Sequence, residues 1–247
     1  MGARVRTTNG ALRVNIVRDR RGEIFEIQHD PKDTAVEVID VRPKMRHLLL
    51  MSRPADGGRK DKFLCGHDER AWFVAAVPEV HGASNVVTAM QALKPRDVRW
   101  IEDKLEVKPK DRLRRRNAAF VRQGEWFFVP APELAGRKIG GLRNEPIRRG
   151  AGKPHFVEEL FRVNGELVYV CDAYPNGVSE LRYRRLLASS KKARAYNWRP
   201  MQRDATVYAR GAVRHPDHAM IYLPDWHRVF MNTESSAAGM RQLAFLD

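Results

Sequence analysis

Short runs of apolar residues, alternating with polar ones or continuous, constrain the fold of this chain more than any other feature. Such runs are typical of strands that bury one or both faces, and the Pro, Gly, Asn and Asp between them favour turns. They predict strands at residues 12–17, 24–27, 36–41, 47–51, 71–77, 120–129, 156–163, 166–170, 207–213, 220–223 and 227–231.

Two pairs of these strands are predicted to form β-hairpins. An Arg-Arg-Gly turn separates strands 12–17 and 24–27, and the Asn-Gly dipeptide at 164–165 separates strands 156–163 and 166–170. Asn-Gly is the strongest two-residue hairpin signal, because both residues readily adopt positive φ.

Helical segments are few. Ser84 and Asp97 are suitable N-caps for two helices within residues 84–107, and Ser179 is a suitable N-cap for a third helix near residues 179–188. Many short strands and few helices predict a strand-rich α+β fold, with mostly antiparallel sheets or a small barrel.

A basic stretch rich in Gly and Pro at residues 136–153 predicts a linker between domains. It would separate a strand-rich N-terminal region, residues 1–135, from a strand-rich C-terminal region, residues 154–247. A single domain is the alternative, since the length of the chain allows either arrangement.

The charge of the chain points to a polyanionic partner. There are 45 Lys and Arg against 30 Asp and Glu, a formal net charge of +15, and excess cations bind phosphates by displacing condensed counterions. Codon bias and internal Arg–carboxylate pairs are the alternative explanation for individual arginines. Clustering favours phosphate binding, because residues 108–122 contain a single acid and residues 182–203 contain none.

We therefore predict a nucleic-acid-binding protein that contacts the phosphate backbone. RNA or single-stranded DNA is favoured, because no helix-turn-helix, zinc finger or basic zipper is visible in the sequence. Aromatic residues within the second basic run, residues 182–203, offer faces on which unpaired bases stack. The predicted binding residues are Arg112, Arg114, Arg115, Arg116, Arg184, Arg185, Lys191, Lys192, Arg194, Tyr196 and Trp198.

A histidine cluster near the C-terminus supports an alternative of a different class. His215, Asp217, His218 and His227 lie within a short segment, and imidazole with carboxylate suits a divalent metal ion that activates water. The alternative is a metal-dependent nuclease or phosphodiesterase in which these four residues are catalytic and the histidines are the metal ligands. The spacing matches no established metal motif, so the primary prediction includes no cofactor and does not favour an enzyme.

The cysteine content indicates a reducing cytoplasm, in a prokaryotic or viral setting. Cys65 and Cys171 are too few for a disulfide framework. Cys65 opens a polar cluster at residues 65–69, Cys-Gly-His-Asp-Glu, whose role the sequence leaves open.

Two further expectations concern partners. No apolar run approaches the roughly 18–20 residues that cross a bilayer, so no membrane partner is predicted. The remaining alternative is a structural subunit of a larger protein or ribonucleoprotein complex, in which the basic surface meets RNA or an acidic protein.

Overall fold

The structure is a computed structural model that describes residues 2–78, 82–149 and 152–234. Strands account for 51% of it and helices for 18%, and the sheets are mostly antiparallel. This confirms the predicted α+β class. Among the described residues, no sheet closes into a barrel.

Sixteen strands and five α-helices follow one another along the described residues. The strands are β1 (Arg4–Thr8), β2 (Arg13–Asp19), β3 (Gly22–Gln28), β4 (Thr34–Arg42), β5 (His47–Pro54), β6 (Asp61–Asp68), β7 (Ala71–Val77), β8 (Val121–Gln123), β9 (Trp126–Pro130), β10 (Leu142–Ile147), β11 (His155–Val163), β12 (Glu166–Cys171), β13 (Tyr174–Ser179), β14 (Arg199–Arg203), β15 (Thr206–His215) and β16 (His218–Met231). The helices are α1 (Val86–Ala92), α2 (Arg96–Lys104), α3 (Pro109–Arg112), α4 (Glu180–Ser189) and α5 (Lys191–Arg194).

The chain divides into two compact units. Of the described residues, the first unit contains those up to Phe127 and again residues 231–234, and the second contains residues 128–230. The segment 136–153, predicted as a linker, contains strand β10, which pairs with β11 in the second unit. Ile147 at the end of β10 is fully buried, which explains why this stretch forms a strand.

Two sheets organise the first unit. Strands β4 to β7 form an antiparallel meander in chain order, while the other sheet has the order β1-β3-β2, with β1 parallel to β3. The predicted hairpin between β2 and β3 is present. Helix α1 packs on the meander, where Leu49, Leu64, Val86 and Ala89 belong to one buried cluster.

Helix α1 begins one residue later than predicted, because Asn85 and not Ser84 is its N-cap. The Asn85 side chain accepts a 2.9 Å hydrogen bond from the Thr88 amide, and Thr88 Oγ1 accepts one of 3.0 Å from the Asn85 amide. Asp40 accepts a further hydrogen bond from the Val86 amide at 2.9 Å, and this contact holds the pKa of Asp40 below its ordinary value. Ser and Asn are comparably good caps, so local sequence alone does not choose between them.

A buried ion pair joins the segment after α1 to helix α2. Lys94 Nζ donates to the two Glu102 oxygens at 2.7 and 2.8 Å and to the Arg112 carbonyl at 2.5 Å. Asn117 Nδ2 donates to Glu102 at 3.0 Å. The side chains of Lys94 and Glu102 are only 5% and 0% exposed. Burial lowers the pKa of Lys94, and its hydrogen bond to Glu102 opposes that shift.

The second unit contains a larger and a smaller sheet. Five of the six strands of the larger sheet lie in the order β10-β11-β15-β16-β9, and the sixth, β8, precedes β9 in the chain. The predicted strands 220–223 and 227–231 are parts of the single strand β16, which pairs with β15 in a long hairpin. The smaller sheet has the order β13-β12-β14, and helix α4 contacts β12 and β13.

The predicted hairpin across the Asn-Gly dipeptide at 164–165 is wrong. Strand β11 pairs with β10 and β15, so both of its edges are occupied, and β12 pairs instead with β13 and β14. Asn164 does adopt a positive φ of 61°. A glycine at position 165 allows Gln202 and Ala205 to pack closely against the backbone. A Cβ there would lie 2.9 Å from Cβ of Gln202 and 3.0 Å from Cβ of Ala205.

The ion pair generates the first testable prediction. We expect Lys94→Met to lower the free energy of unfolding by about 3–5 kcal/mol, because it leaves the Glu102 carboxylate buried without its cation. The double variant Lys94→Met/Glu102→Leu should be more stable than the single variant. Urea denaturation at neutral pH measures both, with the exposed Lys110→Met as the control. A single variant as stable as that control would contradict the prediction.

Candidate functional site

Helix α4 of the second unit presents cations to solvent because of its amphipathic pattern. Tyr183, Leu186 and Leu187 occupy positions i, i+3 and i+4, and these three side chains form the half-buried stripe of the helix. The arginines on the other positions are therefore exposed. The helix begins after Ser179, as predicted, with Glu180 in its first turn.

The exposed cations of this region are grouped here as the basic segment. Its members lie on α4, α5 and β14, and they are Arg182, Arg184, Arg185, Lys191, Lys192 and Arg199. Arg184 pairs with Glu180 at 2.5 Å, yet its side chain remains 75% exposed. The other five form no ion pair with a carboxylate of the described residues. No acidic residue lies between Glu180 and Asp204, so the segment keeps a concentrated positive charge.

Arg194, a predicted phosphate contact, has a structural role. Its Nε donates to the Leu187 carbonyl at 2.6 Å and its Nη2 donates to the Ala188 carbonyl at 3.1 Å. These carbonyls lie in the last turn of α4, where a cation also interacts favourably with the helix dipole. Arg194 thus fixes α5 against the end of α4, and its exposed guanidinium is already engaged.

Five half-buried aromatic rings lie beside the basic segment. Tyr169 and Tyr183 stack with ring centroids 3.9 Å apart, and Tyr174 and Trp198 stack at 5.4 Å. Trp198 also meets Tyr183 edge-to-face at 5.1 Å and Tyr196 at 6.0 Å. The two predicted stacking residues, Tyr196 and Trp198, therefore belong to an aromatic cluster within the protein.

Trp198 is the centre of this aromatic cluster. Its Nε1 donates a 2.7 Å hydrogen bond to the Ala193 carbonyl in α5. On the other side of the cluster, the Arg182 guanidinium lies 5.8 Å from the centroid of the Tyr174 ring. The cluster thus connects the helices that carry the cations to the sheet, and it leaves part of each ring exposed to solvent.

The first basic run, residues 108–122, contains arginines that have structural roles. Arg115 is one of them, because it joins two carboxylates within the first unit. Arg115 donates to the carboxylates of both Asp68 and Glu69, and Arg122 lies 3.4 Å from Asp68. Glu69 adopts a positive φ of 51° in the turn between β6 and β7. The acidic end of the 65–69 cluster thus has a structural role that the sequence left open: it binds two arginines from elsewhere in the unit.

The remaining members of the first run divide between structure and surface. Arg112 donates to Asp103 at 2.6 Å and to the Val107 carbonyl at 2.9 Å. Arg114 pairs with Asp111 at 3.1 Å but is 67% exposed, and Arg116 is exposed as well. Of the four arginines predicted here, only Arg114 and Arg116 are therefore available at the surface.

A row of three histidines crosses the larger sheet of the second unit. His215 and His218 are direct partners at the turn between β15 and β16. His155 precedes Phe156, and the partner of Phe156 is Arg214, which precedes His215. The ring centroids lie 4.2 Å apart for His155 and His215, and 4.6 Å apart for His215 and His218. One nitrogen of each ring lies within 4.8 Å of the others.

This group differs from the predicted set. His227 is not part of it: the residue is buried opposite Ala209, and its Nδ1 contacts the Asp225 carbonyl at 2.7 Å. His155 takes its place in the row. Strand pairing brings it there from a distant part of the sequence, and no local motif marks it.

Asp217 lies in the turn beside the histidine row and is held by Lys153. Lys153 Nζ donates to the two carboxylate oxygens at 2.9 and 2.8 Å. This contact holds the pKa of Asp217 below its ordinary value, and the nearby His215 and His218 lower it further. The carboxylate is therefore charged and oriented by a cation.

The two cysteines are buried and form no disulfide. Burial raises the pKa of Cys65 to about 12. At neutral pH the Cys65 thiol is protonated, so it is not an activated nucleophile.

Comparison of the chain with known protein families, with curated proteins and with solved structures gives no match. Within the part of the chain that the structure describes, no helix is both long and apolar enough to cross a membrane.

The clamp generates a prediction that separates structural from surface arginines. We expect Arg115→Ala to lower the free energy of unfolding by about 1–2 kcal/mol, because two carboxylates lose a charged donor, and partial exposure screens the rest. Arg114→Ala is the matched control and should change stability by less than about 0.5 kcal/mol. Urea denaturation measures both, and equal stability of the two variants would refute the clamp.

Proposed function

We propose that this protein binds single-stranded nucleic acid, RNA or DNA, through the phosphate backbone at the basic segment. The observation that carries the proposal is the set of exposed cations on α4, α5 and β14, in a stretch from which acids are absent. Exposed like charges repel one another, and a polyanion relieves that repulsion. Each phosphate neutralised by Lys or Arg also releases condensed counterions, which supplies the driving force.

The aromatic cluster supports a single strand as the ligand. Proteins that bind unpaired strands combine a cationic track with aromatic faces, because every base has a face that stacks. Tyr174, Tyr196 and Trp198 are half-exposed and lie in or next to the basic segment. A duplex keeps its bases stacked inside and would use only the cations.

The state of the two cysteines is consistent with a cytoplasmic protein. Both thiols are buried and unpaired, as expected for a protein of a reducing cytoplasm. An acidic protein partner, or a place in a ribonucleoprotein complex, would use the same cations, and the salt dependence of binding distinguishes a polyanion of regular charge from a folded partner.

Removal of four cations from the basic segment tests the proposal. We expect the variant Arg184→Ala/Arg185→Ala/Lys191→Ala/Lys192→Ala to bind a single-stranded oligonucleotide more weakly at every sequence. The slope of log affinity against log salt should become less steep by about 3, at about 0.7 for each lost contact. Fluorescence anisotropy over a salt series measures this slope for matched RNA, single-stranded DNA and duplex.

A charge-matched control makes this experiment specific. Four exposed arginines of the β2–β3 hairpin, changed together to Ala, remove the same total charge from the first unit; they are Arg13, Arg18, Arg20 and Arg21. The control variant should keep the wild-type slope. If the slope of log affinity against log salt falls equally in both variants, binding reflects net charge and not the basic segment. A wild-type protein that binds no oligonucleotide at low salt would overturn the proposal.

A further inference from the structure

We propose that His155, His215 and His218 bind one divalent transition-metal ion of the Zn²⁺ class, with at least one coordination position open to solvent. Phosphate binding at the basic segment does not require this site, so the inference goes beyond the proposed function. Both can be tested independently.

Strand register builds the site. Residues directly opposite each other on antiparallel neighbours project from the same face of a sheet, with Cβ atoms about 4.5–5.5 Å apart. His215 and His218 are such a pair, and His155 stands next to His215 on the other side, at the start of β11. Three imidazoles on one face of three adjacent strands are thereby held together by backbone hydrogen bonds.

The distances are compatible with coordination after small side-chain rotations. One nitrogen from each ring lies within 4.8 Å of the others, whereas nitrogens bound to a tetrahedral Zn²⁺ at about 2.0–2.1 Å lie roughly 3.4 Å apart. His155 is buried, while His215 and His218 are half-exposed next to a turn. Closing a separation of up to 4.8 Å to the tetrahedral value requires a shift of up to about 1.4 Å, which rotation of the half-exposed His215 and His218 rings can supply.

The Nδ1 atom of His215 already accepts a hydrogen bond. The Asp217 amide donates to His215 Nδ1 at 3.1 Å, so Nδ1 carries a lone pair, and the proton of the neutral ring is on Nε2. A metal ion bound at Nδ1 replaces this amide as the partner of the ring. The Asp217 amide therefore reports on metal binding directly.

The Lys153–Asp217 ion pair lies beside the row and bears on the charge of the site. Three neutral imidazoles leave the full charge of the ion uncompensated, and the Asp217 carboxylate in the turn between His215 and His218 is paired with Lys153 Nζ at 2.9 and 2.8 Å. Because this ion pair has no net charge, the three imidazoles are the groups that would bind the ion. Three protein ligands leave room for a water molecule, whose pKa a bound Zn²⁺ lowers towards neutrality.

The experiment uses the full chain after removal of metals with a chelator. We expect calorimetric titration with Zn²⁺ to give one equivalent bound, and Co²⁺ to produce the visible absorption of a tetrahedral site. Loss of an outer partner of a metal site already costs 10–100-fold in affinity, so His155→Gln, His215→Gln and His218→Gln should each weaken binding by at least about 100-fold. The ¹⁵N–¹H resonance of Asp217 should shift on addition of Zn²⁺.

The matched control is the His227→Gln variant, in which a histidine of the same unit but outside the row is changed. This variant should bind Zn²⁺ as the wild type does. His218 is half-exposed at a turn, so we expect His218→Gln to fold even if the buried His155→Gln does not. Thermal unfolding without metal checks each variant. Failure of the folded wild type to bind Zn²⁺ would overturn the proposal and leave the row as stacked imidazoles. An equal loss of Zn²⁺ affinity in His227→Gln and His218→Gln would overturn the proposal as well.

Discussion

Ion pairing between arginine and a limited supply of carboxylates organises this molecule. Cationic side chains exceed anionic ones by 15, so internal pairs can neutralise only part of the positive charge. Arg115 pairs with Asp68 and Glu69, Arg112 pairs with Asp103, and the buried Lys94 pairs with Glu102. In the first unit these four carboxylates are thus engaged in ion pairs within the fold. On α4 of the second unit, Glu180 pairs with Arg184, and the other five cations of the basic segment face solvent. We propose a polyanion as their partner.

Antiparallel pairing is the second constraint, because it decides which distant residues become neighbours. The hairpin between β15 and β16 places His215 opposite His218, and the pairing of β11 with β15 adds His155 from a remote part of the chain. The same rule assigns His227 to a different, buried position on β16. A cluster of histidines in sequence and a cluster in space are therefore different sets, which share only the two residues that flank the turn.

Local patterns predicted much of the fold and less of the candidate site. The strand at 71–77, the hairpin of β2 and β3, and the start of the helix after Ser179 follow from periodicity and turn residues, which are local, although the Ser179 side chain makes no capping hydrogen bond. The hairpin at 164–165 was wrong because both edges of β11 are occupied by strands from elsewhere. For the same reason the partners of Arg115 and the place of His155 were not predictable: each contact joins residues far apart in sequence. Arg185, Lys191 and Lys192, predicted as phosphate contacts from charge clustering, are exposed, and their contact with phosphate stays a prediction.

Photo-crosslinking tests most directly whether nucleic acid contacts the basic segment, as we propose. A single-stranded oligonucleotide with a photoreactive base would be irradiated with the wild-type protein, and the cross-linked peptides identified by mass spectrometry. The aromatic rings next to the cations are suitable acceptors. We expect the cross-links to concentrate within residues 174–203, at Tyr174, Tyr196 or Trp198. Cross-links concentrated in the first unit, or evenly spread over exposed lysines and arginines, would contradict the claim.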